Sequence, residues 1–277
     1  MPAHYLITFH GYSYYFYLMY QLLYYLKHLL RARHRKGRGI HSPFVYDFYT
    51  SVIKPRPPAD SPIENLRKRV EASGEMLDVT DLGAGPRKGL SSRRPLRKIM
   101  KQTAIRKKYG NLLARLVGFI EPSLIIELGT GLGISTMYMA EAAGNARIIS
   151  LEGSKEIAGK ARGYFQAAGN RQIEVMTGRF SELVPGLLTR IRHPLLVFID
   201  GDHDESRVLD IISRFMPVVK EDSVIVLHDI HLSRGMNNAW RDIVTMPRVV
   251  VSIELFGMGI LFFRAGMYKQ QYIMRLS

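Results

Sequence analysis

The chain contains no cysteine among its 277 residues. This absence excludes a disulfide framework, a thiolate zinc site and a cysteine nucleophile, and it agrees with a reducing compartment such as the cytoplasm. Acidic residues are scarce in one part of the chain only. Residues 1–110 contain 7 Asp and Glu against 21 Lys and Arg, and residues 111–277 contain 17 against 18, so the net charge of +15 belongs almost entirely to the first part.

A strongly basic first part indicates an anionic partner: a phospholipid surface, a nucleic acid or an acidic substrate. A solvated basic surface that binds nothing would have the same composition. Within this part, Ser42 precedes Pro43, and either Asp60 or Ser61 can cap a helix that starts with Pro62, so the sequence predicts the capped start of a helix at both places.

Only one apolar run is long enough to span a bilayer, and it covers residues 5–30. It contains His10, Gln21, Lys27 and many tyrosines, which favour the membrane interface over the hydrocarbon core. It lacks the basic start and small-residue cleavage site of a signal peptide. Phe16 to Leu30 predicts one helix, which is followed by the basic run 31–36. We expect this helix either to lie on an anionic membrane surface as a peripheral anchor of a cytoplasmic protein, or to pack on the rest of the chain or on a second subunit of a homodimer.

Beyond residue 110 the pattern changes to short apolar runs that alternate with helical stretches. Such alternation predicts βαβ units and a parallel sheet whose strands are buried on both faces. Two further runs near the end, Arg248–Glu254 and Gly259–Phe263, are joined by a short turn and predict an antiparallel hairpin. The fold class is therefore α/β: a Rossmann-like, mostly parallel sheet with a C-terminal antiparallel hairpin strand over 111–277, plus a basic, mainly helical extension over 1–110.

The clearest functional motif is Leu124-Ile-Ile-Glu-Leu-Gly-Thr-Gly-Leu-Gly133, where a predicted strand ends in a glycine-rich turn and a helix follows. Glycines at 129, 131 and 133 let the backbone turn tightly and approach a ligand, and the helix start directs its N–H groups at that ligand. The next predicted strand ends at Glu152, 23 residues after the first glycine. An acid at this place can accept hydrogen bonds from both ribose hydroxyls of a nucleoside ligand.

These residues resemble the first motif and the ribose-binding acid of class I S-adenosylmethionine (SAM)-dependent methyltransferases. The strand ends Phe-Ile-Asp-Gly-Asp-His203 and Leu-His-Asp229 are similar to those of the catechol-type and family-24-like O-methyltransferases, and the likeness covers roughly residues 105–265. The segment with His41-Ser-Pro-Phe44 also looks like the start of a group of bacterial methyltransferases. The resemblance implies SAM as the cofactor. The residues expected to contact it are Glu127, Gly129, Thr130, Gly131, Gly133, Ser135, Glu152, Gly153, Gly178, Arg179, Phe180 and Asp200.

A nicotinamide-dependent oxidoreductase is the alternative for the glycine motif. Glu127 argues against it, because a carboxylate would repel a pyrophosphate but can hold the cationic amino-acid end of SAM, directly or through water. A second glycine cluster, Asp81-Leu-Gly-Ala-Gly85, follows a run that makes a poor buried strand, and Pro86 follows it in place of a clean helix. We therefore interpret it as a loop or short hairpin near the mouth of the site.

Acids and histidines follow the fourth and fifth predicted strands of the α/β part. Asp200, Asp202 and Asp229 offer oxygen ligands for Mg²⁺, which would position an acceptor hydroxyl and lower its pKa. Catechol-type relatives usually have Asn after the second aspartate, whereas this chain has Ile230, which cannot be a ligand. Without a metal, His203 or His228 would be the general base. The predicted catalytic residues are Asp200, His203 and His228.

The leading hypothesis is thus a SAM-dependent methyltransferase that methylates a hydroxyl of a small or lipid-linked acceptor. Phe180 is a candidate for contact with the adenine, and Trp240 and Arg234 could line the acceptor pocket, although packing is the expected role of Trp240. One alternative is an RNA methyltransferase that grips phosphate with its basic first part. Another is a catalytically inactive SAM-fold binding module at a membrane. The acceptor itself is not readable from the sequence.

Overall fold

A computed structural model describes residues 19–32, 34, 37–56, 58, 61–80 and 91–276. A helix over residues 19–31 (α1) comes first. The N-terminal elements that follow are α2 (Pro43–Phe48), which continues as a π-helical turn (Tyr49–Ile53), α3 (Pro62–Ala72), β1 (Met76–Thr80), β2 (Ser91–Pro95), α4 (Leu96–Thr103) and α5 (Lys107–Ile120). The remaining elements are β3 (Leu124–Leu128), α6 (Ile134–Ala142), β4 (Arg147–Glu152), α7 (Lys155–Ala167), β5 (Ile173–Thr177), α8 (Phe180–Leu188), β6 (Leu195–Ile199), α9 (Glu205–Phe215), β7 (Val224–His228), α10 (Arg234–Thr245), β8 (Val251–Glu254), β9 (Met258–Phe262) and β10 (Gln270–Ile273).

Eight strands form the main sheet, in the order β10-β8-β9-β7-β6-β3-β4-β5. Strands β3 to β7 pair in parallel, β9 is antiparallel to both of its neighbours, and β10 is parallel to β8. The predicted Rossmann-like α/β class and the antiparallel hairpin strand are confirmed. The edge strand β10 was not predicted, because its sequence Gln-Gln-Tyr-Ile is short and half polar.

The strands at the centre of the sheet are buried on both faces. Every residue of β3 and β6 is buried, and the side chains of β6 alternate between two hydrophobic clusters. Leu196 and Phe198 join the cluster beneath the N-terminal helices, and Leu195, Val197 and Ile199 join the cluster beneath α8, α9 and α10. Two covered faces explain the continuous apolar runs in the sequence, since a strand with one solvated face would alternate apolar and polar residues.

The N-terminal helices share the core of the sheet. Val45, Phe48 and Leu113 are fully buried in the same cluster as Phe198. The predicted cap at Ser42 is present, since its side chain accepts a hydrogen bond from the backbone N–H of Val45. At the second place Ser61, one of the two candidates, accepts one from Ile63. The boundary predicted at residue 110 falls inside α5, which spans Lys107–Ile120, and the division into two parts stays a prediction.

Strands β1 and β2 form a separate two-stranded antiparallel sheet. The second glycine cluster, residues 81–85, lies between them and outside the described residues. The pairing of the flanking strands is what the interpretation as a hairpin requires. Of the residues in β1, only Val79 is buried, which explains why this strand has no strong apolar pattern.

Helix α1 packs against the C-terminal part of the sheet. His28, which is 4% exposed, contacts Glu254 of β8, so one face of the helix is buried as the packing prediction requires. The predicted start at Phe16 lies outside the described residues, and the predicted end at Leu30 differs by one residue from the helix end at 31. None of the helices in the described ranges combines the length and apolar character that crossing a bilayer requires.

Candidate functional site

The glycine loop between β3 and α6 has a backbone that only glycine adopts readily. Gly129 and Gly133 have φ of +108° and +82°. A Cβ atom on Gly129 would lie 2.3 Å from the backbone oxygen of Asp200, and one on Gly133 would lie 2.4 Å from the ring of Phe165. The loop therefore needs glycine at these positions both for its turn and for its close packing on β6 and α7.

Glu152 lies at the carboxyl end of β4, on the wall of a cavity beside the glycine loop. One of its carboxylate oxygens accepts the backbone N–H of Gly131 at 2.9 Å, and the other accepts that of Ser154, also at 2.9 Å. Burial raises the pKa of Glu152, although these backbone N–H groups act in the opposite direction. The two contacts fix the carboxylate and leave further lone pairs for a ligand with paired hydroxyls.

Glu127 lies behind the glycine loop and is fully buried. Its carboxylate accepts hydrogen bonds from the hydroxyls of Ser135, Thr136 and Ser150. The last contact follows from the sheet register, which places Ser150 of β4 opposite Glu127 of β3. Burial raises the pKa of Glu127 to about 7, although the three hydroxyl donors lower it. Sequence reasoning did not foresee this network, because the hydroxyl residues lie on two other elements.

The cavity at the carboxyl edge of the sheet has a volume of about 1040 Å³. Its wall includes most of the predicted site: Gly129, Gly131, Glu152, Gly153, Gly178, Arg179, Phe180, Asp200, Asp202, His203, His228 and Asp229. Four of the predicted residues are not on this wall, and these are Glu127, Thr130, Gly133 and Ser135. Thr130 hydrogen bonds to Ser150 and so belongs to the network of Glu127.

Asp200 and His228 form a close pair on neighbouring strand ends. Nδ1 of His228 lies 2.8 Å from Oδ1 of Asp200 and 3.7 Å from Oδ2 of Asp229. Burial lowers the pKa of His228, but the charge and hydrogen bond of Asp200, together with the charge of Asp229, outweigh it and raise the pKa to about 9. A raised pKa favours the protonated imidazole, which does not suit the general-base role predicted for His228.

His203 is the more accessible of the two predicted bases, with 32% of its side chain exposed. Its Nε2 lies 4.0 Å from Oδ1 of Asp200. Side-chain atoms of Asp200, His203 and Asp229 that could bind a metal all lie within 4.8 Å of one another. The sequence prediction named Asp202 instead of His203 in this group. In the structure Oδ1 of Asp202 is 2.8 Å from Nη1 of Arg207.

The cluster of Asp200, His203 and Asp229 fits a divalent cation that accepts one nitrogen and two oxygen ligands. Mg²⁺ prefers oxygen ligands alone, so the imidazole makes this set less typical of magnesium than the predicted set of three carboxylates. Ile230 is fully buried in the cluster beneath α10. The position that holds Asn in catechol-type relatives therefore contributes here to the core.

Of the described residues at the cavity wall, three other than glycine have a left-handed backbone: Asp202, Asp229 and Phe256, with φ of +52°, +53° and +62°. Such conformations carry strain, and aspartate tolerates them better than most residues. The turn at Asp229 is held by its backbone N–H, which donates to the carbonyl of Gly257 at 2.7 Å. The turns at Asp202 and Asp229 determine where their two carboxylates point, and the sequence gives little sign of these turns.

Sequence reasoning missed several residues of the cavity. Tyr109 of α5 lies on the wall, its ring is edge-on to that of His228 at 5.7 Å, and its hydroxyl donates to the carbonyl of Leu255. Gly201 supports Phe180, since a Cβ at Gly201 would lie 2.8 Å from the phenylalanine ring. Gln21 brings α1 to the cavity. No local pattern marks these residues, because each reaches the site through tertiary packing.

Trp240 lies away from the cavity. It is 4% exposed, and its indole N–H donates to Oε2 of Glu254 at 3.2 Å. The expectation that Trp240 has a packing role agrees with this position. Arg234 begins α10 and is not part of the cavity wall.

The similarity to known proteins lies in the part of the chain that contains most of the site. A family model described as a methyltransferase domain matches residues 126–230. A catechol O-methyltransferase from Niastella koreensis is 34% identical over 96 residues, which cover 34% of this chain and 43% of the relative. A catechol O-methyltransferase from Mycobacterium tuberculosis is 34% identical over 106 residues, covering 37% and 47%. The chain thus spans less than half the length of the curated relatives that it matches.

Solved structures share the fold over a larger part of the chain. An O-methyltransferase from Bacillus cereus in complex with S-adenosylhomocysteine (SAH) superposes with a TM-score of 0.53 at 19% identity, covering 79% of this chain and 97% of that one. The O-methyltransferase TomG from Streptomyces achromogenes, in complex with SAM, gives 0.54 at 14% identity, covering 79% and 95%. At these identities the likeness shows the fold alone.

Proposed function

We propose that this chain, whose residues 126–230 match the model of a methyltransferase domain and which is similar in part to catechol O-methyltransferases, transfers the methyl group of SAM to a hydroxyl oxygen. The acceptor that we propose is a small or lipid-linked molecule. One observation carries the proposal: the glycine loop and Glu152 share a single cavity with Asp200, His203 and Asp229. In the proposal, a nucleoside site and a proton-transfer site lie side by side at the carboxyl edge of the sheet, where such sheets bind ligands.

In this proposal the cofactor lies along the glycine loop. Glu152, already fixed by Gly131 and Ser154, accepts the ribose hydroxyls, and Phe180 on its support at Gly201 contacts the adenine. Asp200 faces the cationic amino-acid end. Glu127 acts from behind the loop by holding Ser135 and Thr136, and is a positioning residue. SAM, when bound, supplies an activated methyl group on a sulfonium, so the protein has mainly to align the acceptor and remove a proton.

We assign the proton transfer to His203 and a positioning role to His228. His203 is accessible from the cavity, whereas the hydrogen bond of His228 to Asp200 holds its proton. A divalent cation held by Asp200, His203 and Asp229 would instead lower the pKa of the acceptor hydroxyl. That arrangement would occupy the imidazole of His203, so the two versions differ in their dependence on metal.

The test is methyl transfer from radiolabelled SAM to a panel of catechols and to a lipid extract, with Mg²⁺, Mn²⁺ or EDTA present. We expect transfer to at least one acceptor, and a loss of kcat of about 100-fold or more in His203→Ala, as for removal of a general base. SAH affinity should stay within a few-fold of the unmodified protein in that variant. Transfer to no acceptor, or an unchanged kcat in His203→Ala, would contradict the proposal.

Two results separate the metal-assisted version from the metal-free version. If EDTA abolishes transfer and Mn²⁺ restores it, the carboxylate cluster works as a cation site, and Asp229→Asn should then lose activity that added metal recovers only in part. If EDTA has no effect, His203 works alone. Arg192→Ala is the matched control, because this exposed side chain lies just before the amino end of β6, at the opposite edge of the sheet.

A further inference from the structure

Helix α1 presents a row of apolar side chains to solvent. Met19, Leu22, Leu23, Leu26 and Leu30 are 57%, 58%, 54%, 48% and 81% exposed. Their spacing of three and four residues places them on one face of the helix, and we call this row the α1 stripe. A continuous apolar face of this kind is unusual on a monomer surface and marks a site of interaction.

The α1 stripe is not the face that attaches the helix to the protein. Gln21 donates to the backbone carbonyls of His231 and Leu232 at 2.6 and 2.8 Å, and His28 contacts Glu254. Gln21 and His28 lie on the side of the helix opposite the α1 stripe. The helix is therefore held by these polar contacts and by ring contacts of Tyr24 and Tyr25, while its apolar face points away from the sheet.

Basic residues adjoin the α1 stripe, and the sequence contains no acidic residue before position 47. Lys27 and Arg31 are exposed and lie beside the stripe on the helix surface. The sequence continues with four more basic residues between positions 33 and 38, and the first acidic residue of the chain is Asp47. An apolar face flanked by cations is the arrangement that helices at anionic lipid surfaces have.

We infer that the α1 stripe docks this protein onto an anionic phospholipid surface, with the leucines among the acyl chains and Lys27 and Arg31 at the headgroups. Two copies of the chain joined through the α1 stripe would bring their basic flanks together, which opposes such a dimer. A nucleic acid would bind the cations but would not bury the exposed leucines.

Docking in this way would place the lipid surface on the other side of α1 from the main cavity, one helix diameter (~10 Å) away. Gln21 is on the wall of the main cavity as well as on α1. A lipid-bound α1 would therefore hold the cavity close to the surface of the bilayer. If the proposed methyl transfer is correct, this position favours an amphiphilic acceptor that stays in the membrane.

The experiment is co-sedimentation of the full-length purified protein with vesicles of phosphatidylcholine alone or mixed with phosphatidylglycerol at 7:3, without SAM. We expect binding to the anionic vesicles and a loss of at least tenfold in partition coefficient for Leu22→Gln/Leu26→Gln/Leu30→Gln. Lys27→Glu/Arg31→Glu should lose a similar amount. The matched control Arg171→Glu/Arg192→Glu has the same change in charge at exposed positions just before β5 and β6 and should stay within twofold of the unmodified protein.

Three results would overturn the inference. The first is that the unmodified protein fails to bind anionic vesicles at low salt. The second is that the triple leucine variant binds as the unmodified protein does, which would leave only an electrostatic patch of the kind that nucleic acids bind. The third is that the triple variant changes a dimer into a monomer in sedimentation equilibrium without affecting vesicle binding. SAH affinity, measured in parallel, shows whether each variant is folded and keeps this test separate from that of the methyl transfer.

Discussion

Three hydroxyl groups donate hydrogen bonds to the carboxylate of Glu127. With a pKa of about 7 against 4.5 for an exposed glutamate, this residue keeps its proton in the folded state over a pH range in which the unfolded chain has released it. Stability from this group is therefore complete below pH 4.5 and decreases as the pH rises toward 7. The ionised form of Glu127 therefore supports the glycine loop at a greater cost in folding free energy than the protonated form.

Replacement of Glu127 by Gln should remove this pH dependence. We expect Glu127→Gln to gain stability relative to the unmodified protein as the pH rises. The difference in free energy of unfolding, variant minus unmodified protein, should increase from pH 5 to pH 8 by on the order of 3 kcal/mol at most. Denaturant unfolding at both pH values measures the difference. Glu221→Gln, at an exposed position before β7, is the control, and an identical pH slope in Glu127→Gln would show that the residue does not titrate in this range.

The role of Glu152 is tested by its removal. Glu152→Ala should weaken SAH binding by roughly 100-fold, because two hydrogen bonds to a charged acceptor are lost and each contributes about 1.5 kcal/mol or more. Isothermal calorimetry gives the ratio directly, with Glu221→Ala as a control of equal charge change. SAH affinity that does not change in Glu152→Ala would place the ribose elsewhere.

At the scale of single residues, the sequence predicted where the acids and histidines would lie but not how they pair. Asp200, His203, His228 and Asp229 meet because parallel strands end at one edge of a sheet, and that rule can be applied to a sequence. The candidate metal group contains His203 and not the predicted Asp202, because Asp202 lies in a left-handed turn and forms an ion pair with Arg207. Such a turn has only a weak sequence signal.

At the scale of elements, the effect of replacing a glycine by alanine on stability depends on the space around the glycine. Gly129→Ala should destabilise the protein and abolish SAH binding, because its Cβ would overlap the backbone of Asp200. Gly163→Ala should instead raise stability by about 0.5–1 kcal/mol, since this glycine is inside α7 with nothing within 4 Å of the added atom. Thermal unfolding of the two variants is the measurement, and equal effects would contradict the packing described for the glycine loop.

The attachment of α1 depends on a carboxylate that is 13% exposed. Glu254 contacts His28 of α1, His231 and Trp240, and although burial raises its pKa, the hydrogen bonds of the two histidines outweigh this and hold the pKa far below its usual range. The stability that this charge contributes is present above about pH 4.5 and is lost as the pH falls below it. Residues 28 and 254 are remote in sequence, so their pairing could not be predicted.

Glu254→Gln should loosen α1, because the amide cannot replace a carboxylate that accepts from three donors. We expect trypsin to cut after Lys27 and Arg31 at least several-fold faster in this variant, measured by mass spectrometry at pH 8. Asp210→Asn, which breaks an exposed ion pair with Arg214, should leave the cutting rate unchanged. Equal rates in Glu254→Gln and the unmodified protein would mean that α1 is held by other contacts.

At the scale of the whole molecule, the sheet could be predicted and the attachment of the N-terminal helices could not. Apolar runs buried on both faces, such as those of β3 and β6, have a pattern that shows in the sequence. The helices before residue 110 share the core of the sheet through residues such as Phe48, and contacts of this kind leave no periodic signal beyond amphipathicity. The strong positive charge was visible, but its relation to the α1 stripe became apparent only when α1 was placed on the fold.

The central claim is that the cavity beside the glycine loop binds the nucleoside of SAM. Calorimetric titration of the purified protein with SAH, in the presence and absence of Mg²⁺, tests it most directly. We predict one site with a micromolar Kd that Mg²⁺ leaves unchanged, because Glu152 and the glycine loop require no metal for their contacts. Failure to bind SAH in either condition would contradict the account and leave the cavity without its assigned ligand.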